Sequence, residues 1–152
     1  MLLLVSLAQA APWVHQVVVE IEAPPEKVFE VLVDSEGYAS WNPWVVQTEG
    51  PFVEGGVFPA TAVLGEERRA VKHRVLIVDE PRVFHWEDVG AFTLLAKGDR
   101  RRDLVPTETG TELTVTLRLR GPFKGAALRR YEQAMIEGMA AEAAALKARA
   151  ED

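Results

Sequence analysis

The sequence predicts an α+β fold in which a run of antiparallel strands packs against one long C-terminal helix. Three observations carry that prediction. Residues Thr111–Arg120 alternate strictly, with Leu113, Val115, Leu117 and Leu119 on one face and Glu112, Thr114, Thr116, Arg118 and Arg120 on the other, as a half-buried strand does. Residues 124–150 are rich in alanine, glutamate and arginine, all strong helix formers, and Leu128, Tyr131, Met135, Met139 and Leu146 recur at three- to four-residue steps as a buried stripe. No repeat, linker or low-complexity segment divides the 152 residues, a length that suits one domain with its own core.

The first strand spans Val14 to Glu22, with Val17, Val19 and Ile21 sharing a face and Gln16, Glu20 and Glu22 mostly opposite. Two prolines end it. Pro24 biases Ala23 to the extended region, and Pro25 fits the first turn of a helix, where a missing N–H costs nothing. Val28, Phe29, Val31 and Leu32 give that helix an apolar face, and Asp34-Ser35-Glu36-Gly37 stops it, with Gly37 expected to take a left-handed cap. Trp41-Asn42-Pro43-Trp44 follows as an aromatic loop, Asn42 being extended before proline. Further strands are expected over Val45–Thr48, Val57–Leu64, Ala70–Val78, Val83–Val89 and Leu94–Val105, and Thr107–Gly110 is a hairpin turn. Gly121-Pro122-Phe123 breaks the sheet before the long helix.

Composition excludes several function classes. There is no cysteine, hence no disulfide framework, thiolate nucleophile or cysteine-ligated zinc. A net charge of −6 argues against a nucleic-acid partner, which needs a basic footprint. No apolar run reaches the roughly 18–20 residues of a membrane span. Residues 1–12 form an apolar N-terminal segment that reads two ways. Ala8-Gln9-Ala10 mimics a small-residue cleavage site, which would make residues 1–10 a signal remnant and the protein secreted or periplasmic; the missing basic n-region and the short apolar part favour a packed element and a cytoplasmic protein.

The polar residues offer a few candidates for chemistry. In Arg100-Arg101-Arg102, strand alternation turns Arg100 and Arg102 one way with Leu104 and Arg101 the other, beside Asp99 and Asp103. Either this strand end splays and all three arginines are solvated, or Arg100 and Arg102 face inward, where they need acidic partners, water or an anionic ligand. Phe84 and Trp86 share a strand face suited to a core or cavity, with His85 and Glu87 opposite. His73 has the parity of Val71, Val75 and Ile77, and is a weak candidate for a general base. Tyr131 and Met135 on the long helix suit an apolar ligand, with Tyr131 a second weak catalytic candidate. His15, His73, His85 and Glu87 lack metal-ligand spacing, so neither metal nor cofactor is expected. No Ser-His-Asp order, Gly-rich phosphate loop or nucleophile elbow is present.

The run from Ile21 to Trp44, with its Pro24-Pro25 entry, Asp34–Gly37 stop and Trp-Asn-Pro-Trp loop, resembles the opening of the polyketide cyclase/dehydrase branch of the START-like (SRPBCC) superfamily. The resemblance extends over the chain in element order. It implies a helix-grip (START-like, Bet v 1-like) domain over 13–150: a curved antiparallel sheet of about six or seven strands wrapped around one long C-terminal helix, with two short helices after the first strand. The space between sheet and helix would be a ligand cavity, and the resemblance implies that the loop carrying Trp41 closes over it, making Trp41 a ligand-binding candidate. The function implied is binding of a small hydrophobic, lipid-, steroid- or polyketide-like molecule, with an anionic group read by Arg100 or Arg102. The alternatives are a cyclase/dehydratase-type enzyme, for which no catalytic motif stands out, and a module that binds a protein partner.

Overall fold

The computed structural model describes residues 11–152; the two readings of residues 1–10 lie outside the described residues. The elements are β1 (Trp13–Ile21), α1 (Pro25–Val33), α2 (Tyr38–Trp41), β2 (Val45–Thr48), β3 (Val57–Leu64), β4 (Glu67–Asp79), β5 (Val83–Asp88), β6 (Lys97–Pro106), β7 (Thr111–Arg120) and α3 (Lys124–Glu151). The strands form one antiparallel sheet in the order β1-β7-β6-β5-β4-β3-β2. Every neighbour after the β1–β7 pair is thus sequential, and the two short helices carry the chain from one edge of the sheet to the other. α3 packs along β1, β3 and β7 and against α1. This is the helix-grip architecture.

The two prolines act as the sequence predicts. Pro24 is extended at φ −65, ψ 153, and Pro25 opens α1, whose Val28, Phe29 and Leu32 are buried. The Tyr38 hydroxyl donates to the Leu32 carbonyl at 2.7 Å, locking α2 beneath α1. Phe29, Tyr38, Phe52, Phe58, Phe84 and Trp86 then fill the core with edge-on and tilted rings.

Four expectations are corrected. Gly37 is not left-handed but helical (φ −72), because it starts α2; its N–H instead meets the Asp34 carboxylate at 3.2 Å, and a Cβ there would lie 2.3 Å from Asp34 Oδ2. Trp41 belongs to α2 rather than to a loop. The strand expected from Leu94 starts at Lys97, since Ala91–Leu94 is a 3-10 turn. A bulge between Val75 and Ile77 switches the face of β4, so that Val78 opposes Phe84 on the core side while Ile77 opposes His85 on the outer side. His73 and Ile77 therefore do not share a face.

Candidate functional site

A cavity of about 340 Å³ lies between the sheet and the first half of α3. Its wall is mostly apolar, with Trp44, Leu64, Leu117, Leu119 and Met135 contributing, and a few polar side chains converge on it: Arg69, His73, Asp88, Arg100 and Tyr131. The inner face of β6 supplies the first polar feature. Arg100 and Arg102 point inward with Leu104 and are 6% and 1% exposed, so the reading in which all three arginines are solvated is wrong. Only Arg101 turns outward, where its Nε meets Asp103 at 3.0 Å.

Glu142 on α3 answers both inward arginines. Arg100 Nη1 lies 3.3 Å from its Oε2 and Arg102 Nη2 lies 3.4 Å from its Oε1. Asn42 Nδ2 donates to the same Oε1 at 2.7 Å, while Asn42 Oδ1 accepts the N–H groups of Trp44 and Val45. One carboxylate is thus shared by two guanidiniums, at long contact distances. Aromatic rings take up part of the excess charge: the Arg100 guanidinium carbon sits 3.6 Å from the Trp44 ring centre and that of Arg102 sits 3.9 Å from the Trp86 ring centre. Arg100 Nε and Arg102 Nη1 are buried with no hydrogen-bond partner.

Burial pulls the Arg100 pKa down to about 10, partly opposed by Glu142, so the group stays charged at neutral pH. Burial alone would raise the Glu142 carboxyl, but Arg100, Arg102 and the Asn42 hydrogen bond together hold it below the usual value. Trp44 reaches Arg100 because Gly138 of α3 has no side chain; a Cβ there would lie 2.7 Å from three atoms of the indole.

His73 forms the second polar feature. It is buried on β4, stacked on Trp86 with ring centres 5.2 Å apart. Asp88 stands beside it: its Oδ2 accepts the Gly98 N–H at 3.0 Å and its Oδ1 lies 3.1 Å from His73 Nδ1, close enough for a charge contact but off the line of a good hydrogen bond. That contact favours the proton on Nδ1 and leaves a lone pair on Nε2, which has no partner either. Burial holds the imidazole below the usual histidine value, against the pull of Asp88.

The cavity rim is clasped from both sides. Arg69 of β4 donates to the Tyr131 hydroxyl of α3 at 2.7 Å, and Arg130 meets Glu67 at 2.8 Å. On the outer face of the sheet, Asp99 is buried between His85 Nε2 (2.8 Å) and Arg118 (3.1 Å), rather than beside Arg101 as the sequence spacing suggested. Glu87 there receives Lys97 at 2.8 Å. His85 thus serves a hydrogen bond and Glu87 ion pairs on the side away from the cavity.

Of the residues singled out from the sequence, the structure brings His73, Arg100, Tyr131 and Met135 together around the cavity. Phe84, Trp86 and Arg102 sit beneath it in the core, and Trp41 packs on Tyr38 with ring centres 5.1 Å apart, away from the cavity wall. Sequence reasoning missed Glu142, Asp88 and the part played by Trp44. For Glu142 a signal existed: it falls between Met139 and Leu146 at the three- and four-residue steps of the buried stripe.

The family model described as "Polyketide cyclase / dehydrase and lipid transport" matches residues 13–151. No curated protein matches the chain. Among solved structures, the fold is similar to the Zhui aromatase/cyclase from Streptomyces sp. R1128 (TM-score 0.75, 19% identity, 93% of this chain and 94% of that one). It is also similar to Ara h 8.0201 (TM-score 0.72, 17% identity, 92% and 98%) and to a norcoclaurine synthase point mutant from Thalictrum in complex with a transition-state analogue (TM-score 0.70, 15% identity, 92% and 94%). At these identities the likeness is one of fold.

Proposed function

The chain belongs to the polyketide cyclase/dehydrase and lipid transport family, and from that premise we propose that it binds a small hydrophobic molecule bearing an acidic group, which Arg100 reads. The observation that carries this reading is a buried cation at the wall of a mostly apolar cavity: Arg100 shares Glu142 with Arg102 and keeps an unpartnered Nε, while Asp88 in the same wall is engaged by the Gly98 N–H and His73. Burying charge without full compensation is costly, and a carboxylate or phenolate entering the cavity would complete it. Apolar burial supplies affinity at roughly 25 cal/mol per Å², and the acidic group fixes orientation. The volume of about 340 Å³ lies near the lower end of the roughly 300–1,000 Å³ of ligand pockets, so the ligand is small. Arg102, expected to share this task, supports it from below by competing for Glu142.

A second reading is favoured by one observation: His73, whose Nε2 is buried and unpartnered, lines the same cavity as Arg100. In a cyclase, His73 Nε2 would take the proton from a carbon next to a carbonyl while Arg100 holds the resulting enolate oxygen. The Tyr131 hydroxyl, tied to Arg69 at the rim, is poorly placed to share that work.

Titration with 2-naphthoate and with its neutral counterpart 2-acetonaphthalene, followed by tryptophan fluorescence, tests the first reading. Arg100→Met should weaken naphthoate about tenfold or more and leave 2-acetonaphthalene within about threefold. Equal weakening of both compounds, or of neither, would remove the acid-reading role. Turnover of a model β-polyketone that His73→Gln abolishes would establish the second.

A further inference from the structure

One end of the molecule carries an apolar surface built from two loops. Phe92 and Leu94 of the 3-10 turn and Leu95 beside it are 53%, 83% and 48% exposed, and Phe123, between β7 and α3, is 57% exposed. The Phe123 N–H donates to the Leu95 carbonyl at 2.9 Å, so the two loops are held side by side. Single exposed apolar residues are ordinary; four large ones gathered on adjoining loops are not. Leu94 in particular projects almost wholly into solvent.

Two further observations say what fits this surface. The first is charge. Residues 91–98 and 118–131 contain Lys97, Arg118, Arg120, Lys124, Arg129 and Arg130 and not one aspartate or glutamate, in a chain whose net charge is −6. Glu87, Asp99 and Glu67 reach in from elsewhere to pair several of these cations, yet the side chains of Arg118, Arg120 and Arg130 remain 44%, 51% and 66% exposed. The second is position. Phe92 lines the cavity, as do Ala96 beside Leu95 and Ala127 in the first turn of α3. Apolar side chains that protrude beside a basic margin match an anionic bilayer surface, whose acyl boundary takes the first and whose headgroups take the second.

We infer that this end of the protein docks on anionic lipid bilayers, with Leu94 and Phe123 entering the headgroup boundary and the cavity mouth facing the membrane. An apolar ligand then passes between lipid and cavity without crossing water. Docking rests on the loops alone and holds whether or not Arg100 reads an acid.

Co-sedimentation of the full chain with vesicles of phosphatidylcholine alone, and of phosphatidylcholine mixed with phosphatidylserine, tests it with no cavity ligand added. The mixed vesicles should retain the protein, less so as salt rises, and the Leu94→Ser/Phe123→Ser double variant should bind them about tenfold more weakly. Both residues are exposed and neither lines the cavity, so the double variant should keep the circular-dichroism spectrum and cooperative urea unfolding of the parent, which shows that it is folded. Three outcomes would overturn the inference: no retention by the mixed vesicles, equal retention of parent and variant, or self-association of the parent that the variant abolishes, which would make the patch a contact between copies.

Discussion

Arg100 and Glu142, 42 residues apart in the chain, meet at 3.3 Å behind the cavity wall, and Glu142 is divided between Arg100 and Arg102. The contact joins the sheet to α3 where the apolar packing is interrupted by the cavity. Asp88, in the cavity wall with Arg100, is the other carboxylate that acts on that guanidinium.

Glu142→Gln should therefore be severely destabilising. It keeps the shape of the side chain but strands two guanidiniums without a counter-charge, a situation that costs about 3–5 kcal/mol when one partner of a buried pair is lost. Urea unfolding measures it. Adding Arg102→Met to Glu142→Gln should recover part of the loss, since one of the two stranded charges goes. If Glu142→Gln costs less than about 1 kcal/mol, the carboxylate is not what holds the arginines in place.

Gly138→Ala should run against helix propensity. In the middle of a helix such as α3 the change ordinarily stabilises by about 1 kcal/mol. At this position the new methyl would lie 2.7 Å from Cδ1, Cγ and Nε1 of Trp44, and moving the indole disturbs its contact with the Arg100 guanidinium. The expected result is a loss of about 1–3 kcal/mol in urea unfolding, with altered tryptophan emission. A more stable protein with an unchanged spectrum would show that Trp44 shifts freely.

How much of this was legible in the sequence depends on the range of the interactions involved. Backbone features were plain: Pro24 and Pro25 end β1 and open α1, and the alternation of β7 gives the inner and outer faces as found. Features decided by a partner were not. Parity counted along β4 fails beyond Val75 because a bulge is a relation between two strands, and nothing in Val75-Leu76-Ile77 announces it. Asp99 is two residues from Arg101, yet it bonds across the sheet to His85 and Arg118, since neighbouring strands bring their side chains as close as residues two apart on one strand. The inward turn of Arg100 and Arg102 could be weighed but not decided without Glu142. That residue was hidden in an alanine- and glutamate-rich helix where most glutamates face water.

His73 gives a pH dependence with a defined sign. Burial is the largest influence on its imidazole, Arg100 and Arg102 act in the same direction, and Asp88 opposes them without prevailing, so the folded protein binds this proton less readily than the unfolded chain, whose histidine titrates near 6.5. Below that pH the unfolded state holds more protons, and stability falls as the pH drops toward the lowered folded value; above 6.5 the contribution is fully present and flat. Each pH unit of depression is worth about 1.4 kcal/mol. Glu142 is also shifted down, but its stabilising effect is lost only as the pH falls below its ordinary value of 4.5, in a separate and more acid window. Urea unfolding between pH 7.5 and 5.5 should show stability declining in the parent and declining less in His73→Gln; His15 and His85 are common to both proteins and cancel in the comparison. Equal declines in parent and variant would place the titrating group elsewhere and remove His73 as the neutral imidazole of the cavity.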